Sequence, residues 1–128
     1  MTILITGING FIGSNLAVYF QKKNINIIGI GRKKKNYKFH YIRSDLIKLK
    51  KIPENIDTVI HLAADSPTKN NYKRLFKSNV QSCENLVRLV KNSKIKSIIY
   101  CSSFAVYENN QNKIIKENQK ISKNLSIY

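Results

Sequence analysis

Residues 6–13 read Thr6-Gly7-Ile8-Asn9-Gly10-Phe11-Ile12-Gly13, between an apolar run, Thr2 to Thr6 (TILIT), and a stretch whose apolar residues recur at helical spacing. That context makes the octamer the join between a buried parallel strand and a helix. Gly7 permits a sharp turn, Gly10 lets the main chain come close to a pyrophosphate, and Gly13 lets the helix pack tightly on the strand. The N–H groups left uncovered, with the positive end of the helix dipole, then form a seat for an anion. A glycine turn that merely joins strand to helix is the plainer alternative, and the rest of the chain decides between the two.

Outward from this turn, Phe11, Ile12, Leu16, Ala17, Tyr19 and Phe20 predict a helix over 11–22 with lysines gathered in its last turn. Ile25, Ile27, Ile28 and Ile30 predict a second strand that closes on Gly31 and the basic loop Arg32, Lys33, Lys34 and Lys35. A third strand is expected over 38–42, one or two helical turns over 46–52, and a fourth strand over 58–62 (TVIHL). A long helix over 72–90 and a fifth strand over 96–102 complete the pattern. Strands that alternate with helices predict an α/β, Rossmann-like, doubly wound parallel sheet of order 3-2-1-4-5. Residues 1–128 form one domain in this reading, with no repeat, linker or second domain.

Composition narrows the function classes. An apolar fraction of 42% argues against disorder, and no apolar run is long enough to cross a bilayer, so no membrane partner and a cytoplasmic protein are expected. Cys83 and Cys101 lack the paired spacing of a zinc or redox motif, so no metal site is expected; both are read as reduced, with Cys101 packed. The net charge of +16 would ordinarily suggest nucleic acid as a partner. Lys, Asn and Ile make up roughly four residues in ten, the mark of an AT-rich coding sequence, and the lysines are scattered, so nucleic acid is set aside as the lesser reading.

The spacing Thr-Gly-x-x-Gly-x-x-Gly, continued by Phe11-Ile12-Gly13-Ser14, resembles the extended short-chain dehydrogenase/reductase family of NAD(P)-dependent nucleotide-sugar epimerases, dehydratases and reductases. Further landmarks follow in the family's order. Asp45-Leu46 resembles the pair that contacts adenine, His61-Leu62-Ala63-Ala64 is similar to the segment closing the fourth strand, and Asn79-Val80 looks like the Asn-Val of the next helix. Cys101-Ser102-Ser103-Phe104-Ala105-Val106-Tyr107 resembles Ser-Ser-x-x-Val-Tyr, which puts Ser103 at the catalytic serine; Glu117 fits the acidic residue of the following loop. Tyr128 coincides with the tyrosine of Tyr-x-x-x-Lys. The resemblance therefore implies cofactor contacts at Gly7, Gly10, Phe11, Ile12, Gly13, Asp45, Leu46, Leu62, Ala63, Ala64, Asn79 and Ser102, and catalysis by Ser103 and Tyr128. Taken singly, Asp45 also reads as a turn residue, Asn79 as a polar helix position and either serine as a strand-end hydroxyl. His61 and Tyr107 are read as structural.

Two departures from the family pattern carry expectations of their own. NAD-preferring members place an acidic residue at the end of the second strand, where it binds the ribose hydroxyls and repels a 2'-phosphate. Here that position is Gly31, followed by Arg32 and Lys33, so the cofactor is expected to be NADP in preference to NAD, with Arg32 on the 2'-phosphate. A solvated basic loop is the alternative. The second departure is that the lysine of Tyr-x-x-x-Lys, the C-terminal strands and the substrate lobe are missing from the sequence. The implied reaction uses the tyrosine hydroxyl as general acid or base, with hydride transfer at the nicotinamide. The chain is then expected to be the truncated N-terminal part of an oxidoreductase, inactive alone, whose full-length form takes a nucleotide sugar and pairs as a homodimer. Ser103-Phe104-Ala105 lacks the Asp-Glu pair of the dehydratases, which favours epimerase or reductase chemistry. The alternatives are a non-catalytic dinucleotide-binding module that needs a partner and, behind it, a basic nucleic-acid-associated protein.

Overall fold

Among the described residues, β1 (Thr2–Thr6), β2 (Asn26–Gly31), β3 (His40–Arg43), β4 (Thr58–His61) and β5 (Ser97–Tyr100) form one parallel sheet in the order β3-β2-β1-β4-β5, so the chain winds outward from β1 in both directions. The computed structural model describes residues 1–66, 71–91, 93–107, 116–118 and 121. Strand β1 pairs with β2 on one side and β4 on the other. Strands β3 and β5 flank them. The reversal of winding beside β1 opens a crevice at the carboxyl ends of the strands, where open α/β sheets bind ligands.

Period-two alternation divides the apolar residues between two cores. Leu4, Ile28, Ile30 and Val59 point to one face, where Leu86 and Val90 of helix α3 (Ser82–Lys91) cover them. Ile3, Ile5, Ile27 and Ile60 point to the other, beneath Ala17 of helix α1 (Phe11–Lys22). Helix α1 stops because Asn24 takes φ 54°, letting Ile25 N–H reach Phe20 O at 3.0 Å and Asn24 N–H reach Gln21 O at 3.0 Å. Asparagine tolerates that left-handed conformation better than most residues.

The observed strands match the expected ones to within one or two residues at each end. The helix expected over 72–90 is interrupted. It begins as α2 (Tyr72–Leu75), widens into a π-helical segment (Phe76–Gln81) and resumes as α3. In a regular helix Ser78 and Asn79 would point about 100° apart; here both side chains engage Asp65, and the wider turn accompanies that contact. The turns expected over 46–52 shorten to a 3₁₀ turn (Leu46–Lys48) capped by Asp45, whose Oδ1 accepts Ile47 N–H at 3.1 Å. Every residue of β5 is exposed, and the cysteine that follows it is also exposed, so the expectation of a packed Cys101 is corrected. Among the described residues β5 has only β4 as a strand neighbour.

Candidate functional site

The turn after β1 sits where the crevice opens. Gly7 has φ 71°, and a Cβ there would lie 2.8 Å from Ala63 N, so the turn holds neither a side chain nor an ordinary conformation. Gly10 N–H closes the turn on Gly7 O at 2.9 Å. The N–H groups of Phe11, Ile12 and Gly13, in the first turn of α1, have no partner among the described residues. No acidic side chain stands in that turn to neutralise the helix dipole. Gly13 is needed for packing, since a Cβ would come within 2.6 Å of Gly7 O.

Two cavities flank this turn and share Gly7, Gly10, Leu62, Ala63 and Ala64. One, about 250 Å³, reaches toward Gly31, Arg32, Asp45 and Leu46. The other, about 560 Å³, reaches past Phe11, Ile12 and Asn79 to Ser102 and Ser103. The structure therefore gathers every expected cofactor residue along one cleft, with Ser103 at its wider end. Ser103 is half-buried at the start of a 3₁₀ turn (Phe104–Tyr107), and Glu117 is exposed. Tyr128 lies outside the described residues.

The floor of the cleft is tied together by a hydroxyl. Thr6 Oγ1 accepts N–H groups of Leu62 and Ala63, each at 3.3 Å, and lies 2.6 Å from Nδ1 of buried His61. Because the hydroxyl is receiving two donors, its own proton goes to Nδ1, which leaves the neutral ring protonated on Nε2. Burial pushes the His61 pKa below its ordinary value. His61 is buried beneath the cleft and lines neither cavity.

Asp65 was not singled out by the sequence, yet it organises the narrow end. Its carboxylate accepts from Arg32 Nη2 at 2.9 Å, Arg74 Nε at 3.1 Å and Ser78 Oγ at 2.9 Å. Its main chain is held on both sides by Asn79, whose Oδ1 accepts the Asp65 N–H at 2.7 Å while Nδ2 donates to the Asp65 carbonyl at 3.0 Å. Partial burial works to raise the carboxyl pKa, but the two guanidinium groups and the Ser78 hydroxyl outweigh it and hold the value at about 2. Arg32 lines the narrow cavity, with one of its five donors committed to Asp65. The available signal for Asp65 was scarcity: 7 acidic residues face 23 basic ones, so any acid next to an expected cofactor segment had partners to find.

Asn9, to which the sequence assigns no role beyond its place in the glycine motif, also faces the narrow cavity. Its Oδ1 accepts Lys33 N–H at 3.3 Å, and its Nδ2 donates to the Tyr37 hydroxyl at 3.0 Å. Among the described residues no cluster of three His, Cys, Asp or Glu could hold a metal ion, and no helix is long and apolar enough to cross a membrane.

A doubly wound sheet with a glycine turn and a divided cleft at its switch point defines a Rossmann-like chain. More narrowly, the chain belongs to the NAD dependent epimerase/dehydratase family, whose sequence model matches residues 3–128. It is 38% identical over 127 residues to a dTDP-D-glucose 4,6-dehydratase of Dictyostelium discoideum, covering 82% of this chain and 29% of that one. It is 30% identical to the uncharacterized UDP-glucose epimerase YtcB of Bacillus subtilis (strain 168), covering 95% of this chain and 46% of the relative. Among solved structures, MoeE5 in complex with UDP-glucose and NAD superposes with a TM-score of 0.84 at 26% identity, over 95% of this chain and 42% of that one. The chain thus spans less than half the length of the relatives it matches.

Proposed function

We propose that this chain is the cofactor-binding part of a nucleotide-sugar epimerase or reductase and holds a nicotinamide dinucleotide along the cleft. The observation that carries the reading is the pair of cavities joined at Gly7 and Gly10, a shape suited to two nucleotide halves linked by a diphosphate. The residues fit such a ligand: the N–H groups of Phe11, Ile12 and Gly13, unpartnered among the described residues, would take the diphosphate, and the absence of a Cβ at Gly10 leaves room for it. When bound, the nicotinamide supplies the site that gives or accepts hydride. The chain's own part is to orient and to move a proton. Ser103, at the wide end, would hydrogen-bond the substrate oxygen, and Tyr128 would exchange the proton as general acid or base.

For the cofactor, NADP(H) is the first choice. Gly31 offers no carboxylate to repel a 2'-phosphate, while Arg32 and Lys33 line the same cavity. MoeE5 and the UDP-glucuronic acid 4-epimerase of Bacillus cereus, both structural relatives, were solved with NAD, which makes NAD(H) the second reading. The substrate of the whole protein is proposed to be a nucleotide sugar, as in the complexes of MoeE5 with UDP-glucose and UDP-glucuronic acid. Titrating the chain with NADPH and NADH and following nicotinamide fluorescence tests the proposal. Saturable binding that Gly10→Ala weakens is expected, and no binding of either would end it.

A further inference from the structure

We infer that Asn9 decides which dinucleotide the ribose end of the cleft accepts, because its carboxamide stands where any side chain at position 31 would have to go. The inference rests on the dinucleotide reading above and goes beyond it by naming the residue that sets selectivity. A Cβ built on Gly31 would lie 2.0 Å from Asn9 Oδ1, 2.8 Å from Asn9 Cγ and 3.1 Å from the Tyr41 hydroxyl. A flexible side-chain end could swing away cheaply. This one is held at both atoms of its amide.

Asn9 Oδ1 accepts the Lys33 main-chain N–H at 3.3 Å, and Nδ2 donates to the Tyr37 hydroxyl at 3.0 Å. The Tyr41 hydroxyl lies 3.2 Å from Oδ1 and donates to the Lys33 carbonyl at 2.5 Å. Tyr37 is in turn fixed by stacking on Phe39, with ring centroids 4.6 Å apart, and by Tyr41 at 5.0 Å. Moving the carboxamide would break its bonds to Lys33 and Tyr37. The acidic residue that discriminates against a 2'-phosphate is therefore excluded by Asn9 as well as absent from the sequence. Asn9 also pins Lys33, which keeps the basic segment against the cavity.

The test is a cycle of Gly31→Asp, Asn9→Ala and the double variant, titrated with NADPH and NADH. Gly31→Asp alone is expected to weaken both ligands, since its Cβ collides with the carboxamide. The double variant is expected to bind NADH and to shift the NADPH-to-NADH ratio about tenfold further toward NADH than the single changes predict, within the range of couplings between touching residues. Gly31→Ala in both backgrounds, read by thermal melting, reports on the same contact without ligand: its cost is expected to shrink once Asn9 is Ala. Gly31→Asp turning the preference as far as the double variant would overturn the inference, as would an equal cost of Gly31→Ala in both backgrounds. If the unaltered chain binds neither nucleotide, the function proposal fails and this one falls with it. If binding persists without coupling, only this one falls.

Discussion

Arg32 donates from Nη2 to Asp65 Oδ1 across 2.9 Å, joining the end of β2 to the segment after β4 on the wall of the narrow cavity. Asp65 is 8% exposed, whereas both arginine side chains are more than half exposed, so solvent screens the cations far more than it screens the carboxylate. Removing the carboxylate strips Arg74 and Ser78 of an acceptor along with Arg32. Asp65→Ala is expected to lower stability by about 1–3 kcal/mol, measured by denaturant unfolding.

The same carboxylate makes stability depend on acid. Its pKa in the folded chain, about 2, lies below the ordinary 3.8. The folded state therefore binds fewer protons than the unfolded one between those values, and stability rises with pH there. The contribution is full above about pH 4 and is lost as pH falls toward 2. Melting temperature measured across this window is expected to fall less steeply for Asp65→Asn than for the unaltered chain, and parallel curves would refute the assignment.

Arg32 has donors to spare beyond the one given to Asp65. If it meets a 2'-phosphate, Arg32→Ala is expected to weaken NADPH binding by about tenfold, the loss of one charge-assisted hydrogen bond, with little change for NADH. Equal weakening of both would assign Arg32 to Asp65 alone.

The glycines of the turn separate stability from binding. Gly13→Ala would drive a Cβ into Gly7 O at 2.6 Å, a main-chain atom that cannot step aside, and is expected to destabilise the chain by about 1–3 kcal/mol. Gly10→Ala meets Gly7 O at 3.2 Å, which a small shift relieves, but it places a methyl group where the two cavities join. It is expected to leave melting nearly unchanged and to weaken dinucleotide binding, as paired melting and titration would register.

These residues also mark what could be read from the sequence. The strand, turn and helix around Gly7, Gly10 and Gly13 were legible because their spacing and the change from period two to helical period are local signals. So was the sheet order, which follows from alternating elements. The contacts of Asp65 with Arg32 and Arg74 cross 33 and 9 residues and exist only once β2 and β4 are placed on either side of β1. Asn9 carried no local signal because its partners Lys33, Tyr37 and Tyr41 lie 24 to 32 residues away. The π-helical segment left no trace either, since one widened turn shifts the apolar pattern by too little to be distinguished from an ordinary helix.

The buried pair of Thr6 and His61 gives the last prediction. With Thr6 donating to Nδ1 and accepting from Leu62 and Ala63, the hydroxyl holds the segment that lines both cavities. Thr6→Val keeps the shape and removes the hydroxyl's three hydrogen bonds; Leu62 N–H keeps the Thr6 main-chain carbonyl at 3.3 Å, but Ala63 N–H and the buried His61 Nδ1 lose their partner, so a loss of about 1–3 kcal/mol is expected. Burial lowers the His61 pKa from 6.5, so the folded chain binds fewer protons than the unfolded one just below that pH. Its contribution is complete above pH 6.5 and declines as the solution is acidified, because charging the ring in place costs desolvation and turns an acceptor into a donor facing a hydroxyl. Melting followed from pH 8 to pH 5 is expected to fall below about pH 6.5, and His61→Gln should flatten that fall. A flat profile in the unaltered chain would mean that His61 is not held neutral by its surroundings.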